Sequence, residues 1–582
     1  MDELQDGIRH PRSLPSPPAS RTPPRLRFLL MILCLVAAWS STRVLQAAPP
    51  DPVPCLQAFY EVRNWLDQDR FPRLDAEGSE VEVPGSSAVS VLLRLDGRVV
   101  GRGLDTKSDS RAVRRAAGRA LSQALGDRVI RELPESVRDA AGSRLALEIE
   151  FAGTPQPIVA STLGSAATRI QAGMDGILLK RGDRIAIAMP GRLLATGTAE
   201  ATSSTLLRLI DEVGLPPRDL EELRRIDSLE LARFPTMRIG QPEPTAEPGV
   251  RRRSGPVVPP PSLDLQTLED LHARLNDRLL RWRPPADPRE NAANLQPRPW
   301  FGDFDPISNR HVPFEAPLPD RLLATWALAA SGDDSIGPDD LSIPEADLLD
   351  ARIADLGLLA SLALGDQERI QAWLAVVESH PPKNQPVALA RRAAALTGVD
   401  RLLVSDEEAL AAHLAAWEAC GSVSEILAGF DWLSMAEARL ADRLEGTPSA
   451  RAVSLRAIRD ALLTRQVQDG DDAGGIPLLA NARQSIDVRN LRPMLAMAIL
   501  AGIPGEEADG TARARRGLSG LLRLLQQLMM SEEEAADFAG GDQGLHGVSV
   551  GLANPRQPLA ATATASLMLD HLIRMNRSQP AP

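Results

Sequence analysis

A proline-laden stretch from Gln241 to Ser262 divides this chain and restricts its possible folds more than any other feature. Pro242, Pro244, Pro248, Pro256 and Pro259 to Pro261 lack backbone N–H donors and favour extended, solvated chain, so residues 241–262 are expected to form a disordered linker without a packed element. Strand and helix patterns alternate before it, and only helical patterns follow. The fold class expected is therefore an α+β N-terminal domain followed by an all-α domain. At 582 residues the chain also exceeds the length over which one core keeps growing. The division expected is residues 1–48 as a targeting segment, 49–240 as the α+β domain, 241–262 as the linker, 263–577 as the helical domain and 578–582 as a disordered tail.

Composition excludes some partners. A formal charge of −12 disfavours nucleic acid, whose nonspecific binders carry clustered cations. The one basic run, Arg251 to Arg253, lies in the linker and reads as solvated charge. Near the start, Arg21, Arg25 and Arg27 precede the apolar run Leu26 to Trp39, the layout of a secretory signal. Its uninterrupted part, Phe28 to Trp39, falls short of the roughly 20 residues of a spanning helix. The expectation is cleavage near Ser40 or Ala48 and export to the periplasm or cell envelope. The alternative is an uncleaved N-terminal anchor, the one membrane contact foreseen.

Three cysteines, Cys34, Cys55 and Cys420, give neither a disulfide framework nor a zinc set. Cys55 and Cys420 read as separate thiols, and whether they pair cannot be read from the sequence. His311, His380 and His413 lack the i, i+4 spacing of a helical metal site, so no metal is expected. No glycine-rich dinucleotide or phosphate-loop pattern occurs, and no cofactor is expected.

In the N-terminal half, Val89, Val91, Leu93 and Leu95 alternate with Ser90, Leu92, Arg94 and Asp96, which predicts a strand with one buried face and a turn at Asp96-Gly97. A helix follows over 110–132, with Arg111, Arg114, Arg115 and Arg119 on its polar side. Leu145, Leu147, Ile149 and Phe151 give another strand, residues 177–189 a second hairpin, and 203–213 a helix. Three stretches carry a family resemblance: Leu95-Asp-Gly-Arg-Val-Val-Gly-Arg-Gly103, Gly173 to Pro190, and Asp211-Glu-Val-Gly-Leu-Pro216. In order and spacing they resemble the AMMECR-type domain, the family named after the Alport syndrome, midface hypoplasia and elliptocytosis chromosomal-region protein, over about residues 87–239. That family carries Leu-Arg-Gly-Cys-Ile-Gly after the first turn, where this chain reads Val99, Val100, Gly101, Arg102, Gly103. The arginine and cysteine of the signature are absent, so any thiol chemistry the resemblance implies cannot run here. Gly101, Arg102, Gly103 and Pro190 remain as candidate cleft residues, against the plainer reading that the glycines only permit tight turns.

The C-terminal half shows eleven helical patterns between Asp264 and Met575, among them Gln367 to Ser379 and Val423 to Leu444, separated by proline or glycine loops, which suggests a bundle, a helical-pair solenoid or a closed ring. Leu462-Leu-Thr-Arg-Gln466-Val-Gln-Asp-Gly470 resembles the helix end and glycine loop of terpenoid-cyclase and prenyltransferase α/α toroids, with an echo at Leu524 to Leu528. Asp469, Asp471 and Asp472 match the Asp-x-Asp-Asp proton donor of class II terpene cyclases. A cyclase needs aromatic walls to stabilise carbocations, and this chain is 3% aromatic, so the reading adopted is a solvated acidic turn, with the proton donor as the alternative. Gly547-Val-Ser-Val-Gly551 matches a hydrolase elbow but lacks the parallel sheet that motif requires. Trp300, Phe301 and Trp326 are placed as candidates for the mouth of the ring, against the plainer reading of ordinary core packing. Taken together, these features lead to an exported, non-catalytic binding or scaffold protein for an unidentified protein or small-molecule ligand. The alternative is an enzyme with an acidic cleft in the toroid or a cleft in the AMMECR-like domain.

Overall fold

The computed structural model describes residues 48–68, 80–138, 140–251, 258–284, 299–444, 449–470, 472–478 and 486–578. Of residues 1–48, read above as a targeting segment, 1–47 lie outside the described residues, as do 252–257 of the linker and the tail beyond 578.

An α+β module comes first. Helix α1 (Pro52–Asp67) is capped by Asp51, whose carboxylate accepts the Val53 N–H at 2.9 Å. It buries Cys55, Ala58, Phe59, Val62 and Leu66. Strand β1 (Ala88–Leu95) turns into β2 (Arg98–Asp105) through Asp96 and Gly97, both at positive φ, as a tight hairpin requires. Helix α2 (Ala112–Gly126) then lies on the sheet through its alanines. There follow β3 (Ala146–Ala152), β4 (Gln156–Pro157), β5 (Asp175–Arg181), β6 (Arg184–Ala188), α3 (Pro190–Ala195), α4 (Thr202–Glu212), α5 (Leu220–Asp227), β7 (Glu230–Gly240) and β8 (Gly249–Arg251). The sheet is antiparallel in the order β2-β1-β3-β7-β5-β6. β7 is its spine: the half from Glu230 to Pro235 pairs with β5, and the half from Thr236 to Gly240 pairs with β3. α1 and α2 share a core with β1 to β3, and α4 and α5 share a second core with β5 to β7.

The C-terminal region is largely helical: α6 (Leu265–Arg281), α7 (Leu318–Ala330), α8 (Ala351–Leu364), α9 (Gln367–Ser379), α10 (Pro386–Thr397), α11 (Asp406–Glu418), α12 (Phe430–Leu444), α13 (Ala450–Leu463), α14 (Leu491–Gly502), α15 (Ala508–Leu528) and α16 (Leu559–Ser578), with shorter turns between. A two-stranded ribbon, β9 (Phe304–Asp305) with β10 (Arg310–His311), joins α6 to α7. Helix neighbours close a circle: α7 packs on α8, α8 on α10, α10 on α12, α12 on α14, α14 on α16, and α16 returns to α7. Outside this ring α6 backs α7 and α16, α9 backs α8, α11 backs α10 and α12, α13 backs α12 and α14, and α15 backs α14. That is the α/α toroid arrangement. Inner helices such as α8 and α14 are apolar almost all round, as a helix buried on both faces must be. Among the described residues no helix is long and apolar enough to cross a membrane.

Two expectations need correction. The stretch 241–262 does contain packed structure. β8 pairs with β7 through Arg238 and Arg251, and Gln241 is buried. Further on, the Val258 N–H donates to Gln527 Oε1 at 2.8 Å, and Ser519 Oγ donates to the Pro261 carbonyl at 2.9 Å, both on α15. Prolines at 242, 244 and 248 do not prevent this, because an edge strand of three residues can begin after them. β1 is also buried on both faces rather than one, because its second face is covered by Ile187 and Met189 at Ser90 and Leu92 and by the helical region at Arg94. Arg94 donates to the Asp537 carbonyl at 2.6 Å, and at Gly97 a Cβ would stand 2.3 Å from the Phe538 carbonyl oxygen.

Candidate functional site

Two concave sites are built by the fold, one inside the ring and one on the sheet. The ring encloses a cavity of about 800 Å³ lined from all six inner helices. The lining comes mostly from their C-terminal halves: Trp326 and Ala330 from α7, Leu362 from α8, Thr397 from α10, Met435 and Arg439 from α12, Ile499 from α14, and Leu567, Asp570, His571 and Arg574 from α16. Trp326 stacks on Trp432 with ring centroids 6.1 Å apart, which stiffens that wall. The polar groups gather on α12 and α16. Arg574 holds Asp570 at 2.8 Å and donates to the Ala330 carbonyl at 2.9 Å, closing the last turn of α7. Burial raises the Asp570 carboxyl, with Arg574 pulling it back. Burial also pushes the His571 imidazole down to about 3, aided by Arg574 and Arg439, so this ring stays neutral and offers one donor and one acceptor.

Arg439 is the least compensated group in the cavity. Burial lowers its guanidinium to about 10, Arg574 adding to the effect. It donates to the Ala394 carbonyl at 2.5 Å but has no carboxylate partner among the described residues. Converging helix C-termini carry partial negative charge, which opposes an anion by a few tenths to about 1 kcal/mol per terminus and only within the last turn. Spare guanidinium donors form hydrogen bonds of roughly 1.5–3 kcal/mol each with a carboxylate, so the arginine decides the preference.

The sheet site is a cleft of about 240 Å³ lined by Ser90, Leu92, Arg102, Gly103, Leu104, Gln123, Ile187, Met189 and Arg192. Beside it lies a buried charge network. Glu148 on β3 meets Arg94 at 3.4 Å and Arg238 at 3.5 Å, and Arg251 reaches Asp537 of the helical region at 3.6 Å. Glu150, two residues along the same strand face, accepts the Gly191 N–H and the Thr236 hydroxyl, each at 2.9 Å. The two carboxyls shift in opposite directions. Burial raises Glu150 to about 7, with Arg238 opposing and Glu148 reinforcing. Burial also works against Glu148, but Arg238, Arg94 and Arg251 outweigh it and hold that carboxyl below its ordinary range.

A pH dependence follows. The lowered carboxyl of Glu148 contributes stability that is present above the unfolded value and is lost as pH falls through it. Glu150, raised from 4.5 to about 7, binds a proton in the folded chain that the unfolded chain releases, so it costs stability as pH rises across that window, on the order of 3 kcal/mol in all. Glu150→Gln keeps an acceptor for Gly191 and a donor for the Thr236 oxygen. Thermal unfolding of the wild-type chain should lose stability from pH 5 to 7.5 by this contribution, and Glu150→Gln should flatten it; parallel wild-type and variant curves would refute it.

The residues singled out from the sequence divide as follows. Arg102 and Gly103 line the sheet cleft, Pro190 is the buried first residue of α3, and Gly101 is not part of the lining. At Gly101 a Cβ would stand 2.3 Å from the Ala120 carbonyl oxygen, and at Gly103 one would stand 1.8 Å from that of Ala116. These glycines let β2 lie flush on α2. Trp326 lines the ring cavity. Trp300 is buried elsewhere under Arg283, and Phe301 stacks on His311 at 4.7 Å, so neither forms the mouth. Asp469 and Asp472 stand in the loop after α13, outside the cavity lining, with Asp469 exposed, and Asp471 lies outside the described residues. The exposed Asp469 fits the solvated acidic turn adopted from the sequence rather than the proton-donor alternative. The glycine after the motif serves packing: Gly474, at φ 92°, abuts Gly520 of α15, and Gln466 donates to the Gly474 and Gly517 carbonyls. Ser549 is buried, with its N–H donating to the Leu528 carbonyl at 2.8 Å, and stands on no strand-to-helix elbow.

Sequence reasoning missed Glu148, Glu150 and Arg238, and missed the α16 group of Asp570, His571 and Arg574. The signal for the first group was present, since glutamates alternate with Leu147, Ile149 and Phe151. An acidic strand face is normally solvated, and only its cover from distant segments makes it a buried network.

No protein-family model and no curated protein matches the chain. Among solved structures it is similar to an uncharacterized protein, PH0010, from Pyrococcus horikoshii, at 16% identity and a TM-score of 0.25, covering 34% of this chain and 93% of that one.

Proposed function

We propose that this is an exported, non-catalytic binding protein whose ligand is a small molecule seated in the helical ring. The observation that carries the reading is that six inner helices wall one cavity of about 800 Å³ in which Arg439 has no carboxylate partner among the described residues. A volume of this order is typical of ligand sites. A half-buried cation without a counter-ion is partly desolvated, and a ligand that brings the missing charge offsets that cost. The ligand class is a compact organic acid with an apolar body: its carboxylate meets Arg439 and His571, and its chain lies along Trp326, Leu362, Met435 and Leu567. Export rests on the arginine-flanked apolar run at Leu26 to Trp39.

Calorimetric titration of the full chain with decanoate tests the reading. The wild-type chain should bind one decanoate, and Arg439→Met should weaken binding at least about tenfold. Without ligand, the same variant should unfold about 2 °C higher, because it removes a half-buried charge that no carboxylate compensates. Decanoate binding equally well to both proteins would reject the assignment.

A further inference from the structure

The cleft on the sheet carries a second inference, independent of the ring. Arg102 and Arg192 both line it, and neither guanidinium has a carboxylate partner among the described residues. The nearest acids are already engaged: Glu148 lies between Arg94 and Arg238, and Glu150 accepts from Gly191 and Thr236. Arg94, Arg238 and Arg251 balance Glu148, Glu150 and Asp537 at most one for one, so Arg102 and Arg192 stand as excess positive charge. Burial lowers the Arg102 guanidinium, and Arg192 and Arg94 lower it further, as expected of like charges without a mediating anion.

The backbone fixes Arg102 in this place. Gly101 and Gly103 press β2 onto α2, so the residue between them must project from the opposite face. The Arg102 N–H donates to Gln123 Oε1 at 2.9 Å, tying the strand to α2 beside the cleft. Ser90 and the Gln123 amide add neutral polar groups, while Leu92, Leu104, Ile187 and Met189 give the cleft an apolar floor. Its volume of about 240 Å³ matches the share of some eight liquid waters, enough for an anionic head group and a few carbons.

We infer that this cleft is an oxyanion-binding site, in which Arg102 and Arg192 together grip a phosphate or carboxylate group presented by a small ligand. Planar guanidinium forks suit both groups, and two of them on one anion give directional as well as electrostatic selection.

Titration of the full chain at low ionic strength with inorganic phosphate, and separately with succinate, tests the inference and separates its two sources of charge. The wild-type chain should bind at least one of the two probes. Arg102→Gln and Arg192→Gln should each weaken that binding at least about tenfold, with unchanged circular dichroism. Arg439→Met should leave it intact, so failure here is distinct from failure of the ring assignment. Binding of neither probe at millimolar concentration would overturn the inference, as would retention of wild-type affinity in Arg102→Gln.

Discussion

Asp355→Ala should destabilise the helical ring by about 3–5 kcal/mol, the range found when one member of a buried ion group is removed. Asp355, on inner helix α8, is wholly buried and accepts from Arg391 Nε at 3.1 Å and from Arg392 Nε, both on inner helix α10. Arg392 also donates to the Val377 carbonyl at 2.9 Å and the His380 carbonyl at 2.6 Å, at the end of outer helix α9. One carboxylate thus joins three helices of the toroid. Burial alone penalises the charge and raises the Asp355 carboxyl, the two arginines pulling the other way. Truncation leaves two buried guanidinium groups unpaired, a larger cost than the net worth of the intact group. Chemical denaturation followed by circular dichroism should show the loss, and adding Arg392→Met should recover part of it. A change below about 1 kcal/mol would mean that water reaches these arginines.

The second large effect concerns the join between sheet and ring. Glu148→Ala should cost a similar 3–5 kcal/mol, because it strips the central carboxylate from Arg94 and Arg238, with Arg251 close by. Arg94 and Arg251 are the residues that hold Asp537, so the loss should extend to the segment around Asp537 and Phe538. Hydrogen exchange should therefore accelerate in β1, in β3 and at 537–541 together. Acceleration confined to β3 would show that the network stabilises its own strand and does not fasten the ring segment.

These two predictions mark what could be read from the sequence. Local features were legible: helix α9 was bounded correctly at Gln367 and Ser379 because Asp366 caps it, accepting the Arg369 N–H at 3.1 Å. The first hairpin was legible from Asp96-Gly97, and the toroid from its succession of helices. The helix expected over 423–444 breaks at Gly429, a local exception. What stayed hidden depends on long-range pairing. Arg94, Glu148, Arg238, Arg251 and Asp537 are scattered over more than four hundred positions, and each alone reads as a surface charge. β8 escaped because three residues among prolines carry too little pattern to predict a strand. The ring site escaped for the same reason: Arg439 and His571 lie on helices far apart in sequence, and only closure of the circle brings them to one cavity, whereas the conspicuous Asp469 to Asp472 motif falls in a loop outside it.

The ring cavity is proposed to hold an organic acid against Arg439. A crystal structure of the full chain soaked with 10-bromodecanoate would test it most directly, since bromine is located by its anomalous scattering. The account predicts bromine density inside the ring beside Trp326, Leu362 or Met435, with the carboxylate on Arg439. Bromine bound only on the outer surface, with the cavity unchanged, would contradict it.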